Sequence, residues 1–109
     1  LDFKILFADK AITDLNRIVE YYAVESPSSA RMVGDSLLAH IRCLAVMPIV
    51  GTPLAKRNNV FKLYHSPYAI YYRVNYPGAV VEVLHVYHGV RHKSSFPPPA
   101  AAAPPSVSA

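Results

Sequence analysis

The chain has one cysteine, no tryptophan, four glycines and, through its second half, almost no acid. A lone Cys43 cannot build a disulfide framework, which fits a reducing cytoplasm, and its place inside an apparent helix predicts a buried small hydrophobe. No apolar run nears the roughly 20 residues that a membrane-spanning helix needs, so no membrane partner is expected. The opening LDFKILFADK lacks the basic-then-apolar layout of a signal peptide, although a chain that starts at Leu1 leaves open whatever precedes it. Phosphate loops, nucleophile elbows and paired carboxylates are also missing, and no cofactor is expected. A length of 109 residues leaves no room for a second domain, while 52% hydrophobic composition suffices for one core.

The shortage of acid is local. Residues 1–45 hold five cations (Lys4, Lys10, Arg17, Arg31, Arg42) against six acids, a net of −1. Residues 46–109 hold six (Lys56, Arg57, Lys62, Arg73, Arg91, Lys93) against Glu82, a net of +5. Such polarity suits an anionic partner, either nucleic acid or an acidic protein segment; it equally describes a solvated basic face that keeps the protein soluble.

Hydrophobic periodicity orders the rest. Phe3, Ile5 and Phe7 alternate with Asp2, Lys4 and Leu6, a short strand ending at Ala8, and Asp9 is placed to cap a helix. From Lys10 to Tyr22 the set Ile12, Leu15, Ile18, Val19 and Tyr22 predicts one buried stripe, with Asp14, Arg17 and Glu20 outside it. Ser26 and Pro27 then start a second helix, whose stripe is Ala30, Val33, Leu37, Ile41 and Leu44 and whose end is set by Pro48. The short AVESP link makes the two an antiparallel hairpin, and Gly51 and Pro53 mark a turn or loop after it. Period-two strands follow near Val60 to His65, Tyr68 to Asn75 and Val80 to Tyr87, joined by turns at Ser66-Pro67 and Pro77-Gly78. The expected fold is α+β, β-α-α-β-β-β, a helix hairpin packed on one face of a mainly antiparallel sheet. Beyond Lys93 the run SSFPPPAAAAPPSVSA carries five of the ten prolines. Residues 1–93 therefore read as the folded domain and 94–109 as a proline- and alanine-rich flexible tail, with a docking peptide for a proline-binding partner as the alternative.

The stretch VLHVYHGVRHKS, residues 83–94, concentrates titratable groups at a strand end. A metal site at His85, His88 and His92 is disfavoured, since positions 85 and 88 face opposite sides of a regular strand and no cysteine or carboxylate completes a set. Metal-free RNA cleavage needs a base, an acid and cations for the developing phosphorane charge. His88 suits the first two by its near-neutral pKa, and Arg73, Lys62 and Arg91 suit the last. On the middle strand, alternation puts Tyr68, Ile70, Tyr72 and Val74 in the core and presents Tyr71 and Arg73 on the other side. With Lys62 and the strand end they would form a cationic, aromatic surface on which Tyr71 and Tyr87 stack bases. A hydrogen-bonded structural histidine is the competing reading of His88.

In order along the chain, Ala11, Asp14, Leu15, Ile18, Tyr21 and Tyr22, then Ser26, Pro27 and Ala30, then Leu44, Pro48, Gly51 and Pro53, then YAIYYRV and VLHVYHGVRH, closely resemble the RelE/ParE superfamily of type II toxin-antitoxin toxins. The resemblance spans residues 3–93 and implies the same β-α-α-β-β-β fold, a small bacterial or plasmid-borne toxin, and a cognate antitoxin whose C-terminal segment wraps it. RelE-like and YoeB-like members cleave mRNA on the ribosome; ParE-like members inhibit DNA gyrase. Here Ala69 stands where the nuclease members carry an arginine, FKLYH supplies Lys62 alone where RelE members have two lysines, and Gly89 follows His88 where YoeB-like members have tyrosine. The helix hairpin, the linker at Leu44 to Gly51 and the HGVR ending look more like ParE and plasmid-stabilisation members. The resemblance thus implies a cytoplasmic gyrase inhibitor rather than an enzyme, with ribosome and mRNA, and a non-toxic interaction module, as alternatives. The contact set for target or antitoxin is Lys56, Arg57, Lys62, Tyr71, Arg73, Tyr87, Arg91 and Lys93; were the chain a nuclease, His88, Arg73, Lys62 and Arg91 would be catalytic.

Overall fold

The computed structural model describes residues 2–88. Within them the order is β1 (Lys4–Phe7), α1 (Asp9–Ala23), α2 (Pro27–Arg42), a 3-10 turn (Cys43–Ala45), β2 (Thr52–Pro53), β3 (Val60–His65), β4 (Tyr68–Asn75) and β5 (Val80–His88). The strands lie side by side as β1-β5-β4-β3-β2, with β1 parallel to β5 and every other pair antiparallel. This is the expected α+β arrangement with one addition: Thr52 and Pro53, read from the sequence as loop, form a two-residue edge strand on β3.

Gly51 explains why that edge forms there. A Cβ at this position would come within 2.7 Å of the Tyr72 hydroxyl and 2.8 Å of the Lys62 carbonyl oxygen, so only glycine lets the backbone run this close. Its N–H donates to the Tyr72 hydroxyl at 3.0 Å, satisfying the polar tip of a ring that is otherwise stacked on Phe61 and fully buried.

The helices cover one sheet face. Ser26 caps α2 by accepting the Ser29 N–H at 3.0 Å, with Pro27 at the first helical position, and the α2 stripe buries Ala30, Leu37 and Ile41, continued by Leu44. Leu37, Ile41 and Leu44 pack with Ala11 and Ile18 of α1 against Tyr68, Ile70, Tyr72, Val74, Val81, Val83 and Val86.

Four local expectations need correction. Ala8, not Asp9, precedes the first turn of α1, and no side chain caps it. Asp14, expected outside, is 1% exposed, whereas Ile12, expected inside, is 47% exposed. The buried line of α1 is thus Ala11, Asp14 and Ile18, rotated from the stripe that apolar residues alone suggest. The second helix ends at Arg42, ahead of Pro48, because the chain tightens into the 3-10 turn. Cys43 sits in that turn and is exposed, not buried.

Candidate functional site

The face of the sheet away from the helices is built by register. Lys62 pairs with Tyr71, and Tyr71 with His85; next along, Arg73 pairs with Glu82, and Ala69 with Tyr87. A bulge fixes which residues of β5 belong to it. Tyr72 pairs with Val83 and Tyr71 with His85, so Leu84 is the extra residue. Uninterrupted alternation would have kept His85 and Tyr87 on the core face with Val81 and Val83. The bulge instead sends Val86 into the core and turns His85 and Tyr87 to the opposite side.

That side has a small core of its own. Tyr71, which the sequence suggested would be presented to a partner, is 1% exposed, packed with Ala69, Tyr87 and Leu54. The Tyr71 and Tyr87 rings meet edge to face with centroids 6.0 Å apart. Tyr87, 5% exposed, stacks on His85 at 5.2 Å and shares a hydrogen bond with its Nδ1 at 3.2 Å. Neither ring is open as a base-stacking platform.

Two α1 residues complete the arrangement. Lys10 Nζ stands 5.0 Å from the centre of the Tyr87 ring and is paired with Asp14. Asp14 Oδ2 accepts the Val86 N–H at 3.1 Å. The reason is topological: β1 stops at Phe7, opposite Val83, so the β5 backbone beyond it lacks a strand neighbour on that side. The carboxylate supplies the acceptor that a longer β1 would have provided. Burial, reinforced by the Asp14 charge, pushes the Tyr87 hydroxyl up to about 12. Burial also holds His85 below its ordinary 6.5; Asp14 opposes this and Lys10 adds to it. At neutral pH the face therefore presents an uncharged imidazole and an un-ionised phenol.

The residues singled out by sequence are only partly gathered. Lys62 and Arg73 share the outer face; Lys62 Nζ lies 5.2 Å from the Tyr64 ring centre, and Arg73 reaches Glu82 at 3.4 Å. Lys56 and Arg57 are exposed on the loop after β2, which Leu54 pins onto Ala69, Tyr71 and Tyr87. His88 projects to the other, helix-covered face and meets the Tyr68 ring edge-on at 5.8 Å, away from Lys62 and Arg73. Arg91, His92 and Lys93, like the boundary at residue 93, lie outside the described residues. Lys10 and Asp14 were missed, although a signal existed: Asp14 falls at helical spacing between Ala11 and Ile18, where a carboxylate needs a buried partner.

A family model described as "ParE toxin of type II toxin-antitoxin system, parDE" matches residues 5–92. Among solved structures, the chromosomal ParDE toxin-antitoxin system from P. aeruginosa superposes with a TM-score of 0.65 at 20% identity, covering 77% of this chain and 92% of that one. The toxin-antitoxin complex RelBE2 from Mycobacterium tuberculosis gives 0.60 at 21% identity, covering 81% and 92%. A mutant E. coli toxin RelE in the free state gives 0.59 at 20% identity, covering 86% and 90%. No match is found among curated proteins. At these identities the structural likenesses speak to fold.

Proposed function

Since the chain belongs to the ParE toxin family of type II toxin-antitoxin systems, we propose that it arrests growth by inhibiting DNA gyrase and that a cognate antitoxin neutralises it. The observation that carries the choice of gyrase over RNA is the division of the would-be nuclease set. His88 is on one sheet face and Lys62 and Arg73 are on the other, with Tyr71 and Tyr87 buried rather than available to stack on bases. A base and its cations must converge on one scissile phosphate, and these do not. What remains among the described residues is a positive docking surface of Lys56, Arg57, Lys62 and Arg73.

The antitoxin is proposed to use both chemistries available. A groove of about 280 Å³ between α1 and α2, lined by Phe7, Ile12, Leu15, Val19 and Leu38, suits the apolar side of an amphipathic segment. Acidic residues in the same partner would complement the basic second half. The ParDE and RelBE2 neighbours, described as a toxin-antitoxin system and complex, support a partner of this kind.

A second reading, ribosome-dependent mRNA cleavage, draws on His85, an uncharged imidazole on the same face as Lys62 and Arg73. The deciding experiment is a gyrase supercoiling assay with antitoxin-free protein, beside a translation reaction probed for mRNA cleavage. Inhibited supercoiling that added antitoxin reverses is the expected result. Intact supercoiling together with cleavage lost in His85→Ala would replace gyrase by the ribosome.

A further inference from the structure

Away from the outer face, α2 and the end of β3 bring two histidines together across 25 positions of sequence. His40 lies in the last turn of α2, and His65 is the final residue of β3. Their Nδ1 atoms approach to 2.9 Å, with ring centres 5.1 Å apart and planes inclined by 54°. Behind His65, Ser36 Oγ lies 2.9 Å from Nε2.

This contact constrains the protons. Two imidazolium rings would each point an N–H at the other, so the pair holds at most one proton between its Nδ1 atoms. Where Ser36 accepts Nε2–H of His65, the His65 Nδ1 carries the lone pair. A hydrogen bond behind the ring is the usual device for fixing tautomer and orientation of a metal-bound histidine.

From this geometry we propose that His40 and His65 chelate a divalent first-row transition-metal ion through their Nδ1 atoms, clipping α2 to the end of β3. Metal–imidazole bonds of about 2.0–2.1 Å put cis ligands of a square-planar or tetragonal centre about 2.9 Å apart, and ligands of a tetrahedral one about 3.3 Å apart. The hydrogen-bonded pair, at 2.9 Å, already holds both Nδ1 atoms within the span that either centre requires. Metal entry requires each ring to turn about its Cβ–Cγ bond, since in the hydrogen-bonded pair the lone pair of one Nδ1 faces the other. Among the described residues no third His, Cys, Asp or Glu joins them, and both rings are half-buried, so water takes the other coordination positions. Binding replaces the shared proton; the ligands are imidazoles, which favours the order Cu²⁺ above Ni²⁺ and Zn²⁺, with Mg²⁺ excluded.

The test uses tag-free full-length protein carrying Cys43→Ser, which removes the exposed thiol three residues beyond His40. Titration with Ni²⁺ is expected to show one equivalent bound and a raised melting temperature, with no response to Mg²⁺. His40→Gln and His65→Gln should each weaken binding at least about tenfold and abolish the thermal shift, Ser36→Ala should weaken it less, and His88→Gln should leave it unchanged. Unaltered Ni²⁺ binding in both His40→Gln and His65→Gln overturns the site. Cu²⁺ electron paramagnetic resonance guards against variants that misfold. The His40 and His65 protein is expected to show hyperfine coupling to two imidazole nitrogens; none, or one, also overturns it.

Discussion

At the scale of the residue, two positions make contributions to stability that can be measured. Ala79 adopts φ of 51° in the turn between β4 and β5, although the adjacent Gly78 would carry a left-handed conformation at no steric cost. Ala79→Gly should therefore stabilise the protein by about 0.5–1 kcal/mol, the strain relief exceeding the added unfolded-state entropy, read as a higher urea midpoint at unchanged slope. Asp14 is the opposite case. Asp14→Ala removes the acceptor for Val86 N–H and the partner of Lys10, and should cost about 2–3 kcal/mol in the same titration, with Asp14→Asn losing less. These residues also mark where sequence reading stopped. The apolar stripe of α1 is legible, but a carboxylate at a stripe position reads as solvent-facing until the missing strand neighbour of Val86 is known. Likewise no local pattern announces that the positive φ falls on Ala79 rather than on Gly78.

At the scale of the element, strand limits were legible because Pro, Gly and Asn punctuate β3, β4 and β5, and alternation in β4 sorts its core correctly. The bulge at Leu84 was not legible, and it decides the site by moving His85 and Tyr87 away from the helices while leaving His88 against Tyr68. At the edge of the outer face, Tyr87 and His85 come beside Lys10 and Asp14 of the α1 N-terminal half. Because His85 titrates below 6.5 when folded, the unfolded chain takes up more protons between that value and 6.5. This contribution to stability is whole above pH 6.5 and drains as pH falls toward the folded value. His85→Gln should flatten that slope relative to the wild type in chemical denaturation between pH 7.5 and 5, probe settings chosen to span about 1 unit or more on either side of an ordinary histidine.

At the scale of the whole molecule, helices and basic strands divide the surface into an apolar groove and a positive face. Charge asymmetry was plain in the sequence; that Lys62 and Arg73 fall on one face and His88 on the other depends on pairing register, which composition does not encode. If the basic face docks on gyrase, Lys62→Glu with Arg73→Glu should weaken supercoiling inhibition about tenfold or more, and wild-type inhibition should decline with added salt more steeply than antitoxin binding, which the apolar α1–α2 groove also holds. The carboxylate at the open margin of β5 has one more consequence. An unfinished strand is a template on which a second polypeptide can polymerise, and Asp14 plugs that template with a negative charge that no incoming backbone carbonyl can displace cheaply. The same side chain that satisfies a donor within one chain thus opposes strand pairing between copies at this margin.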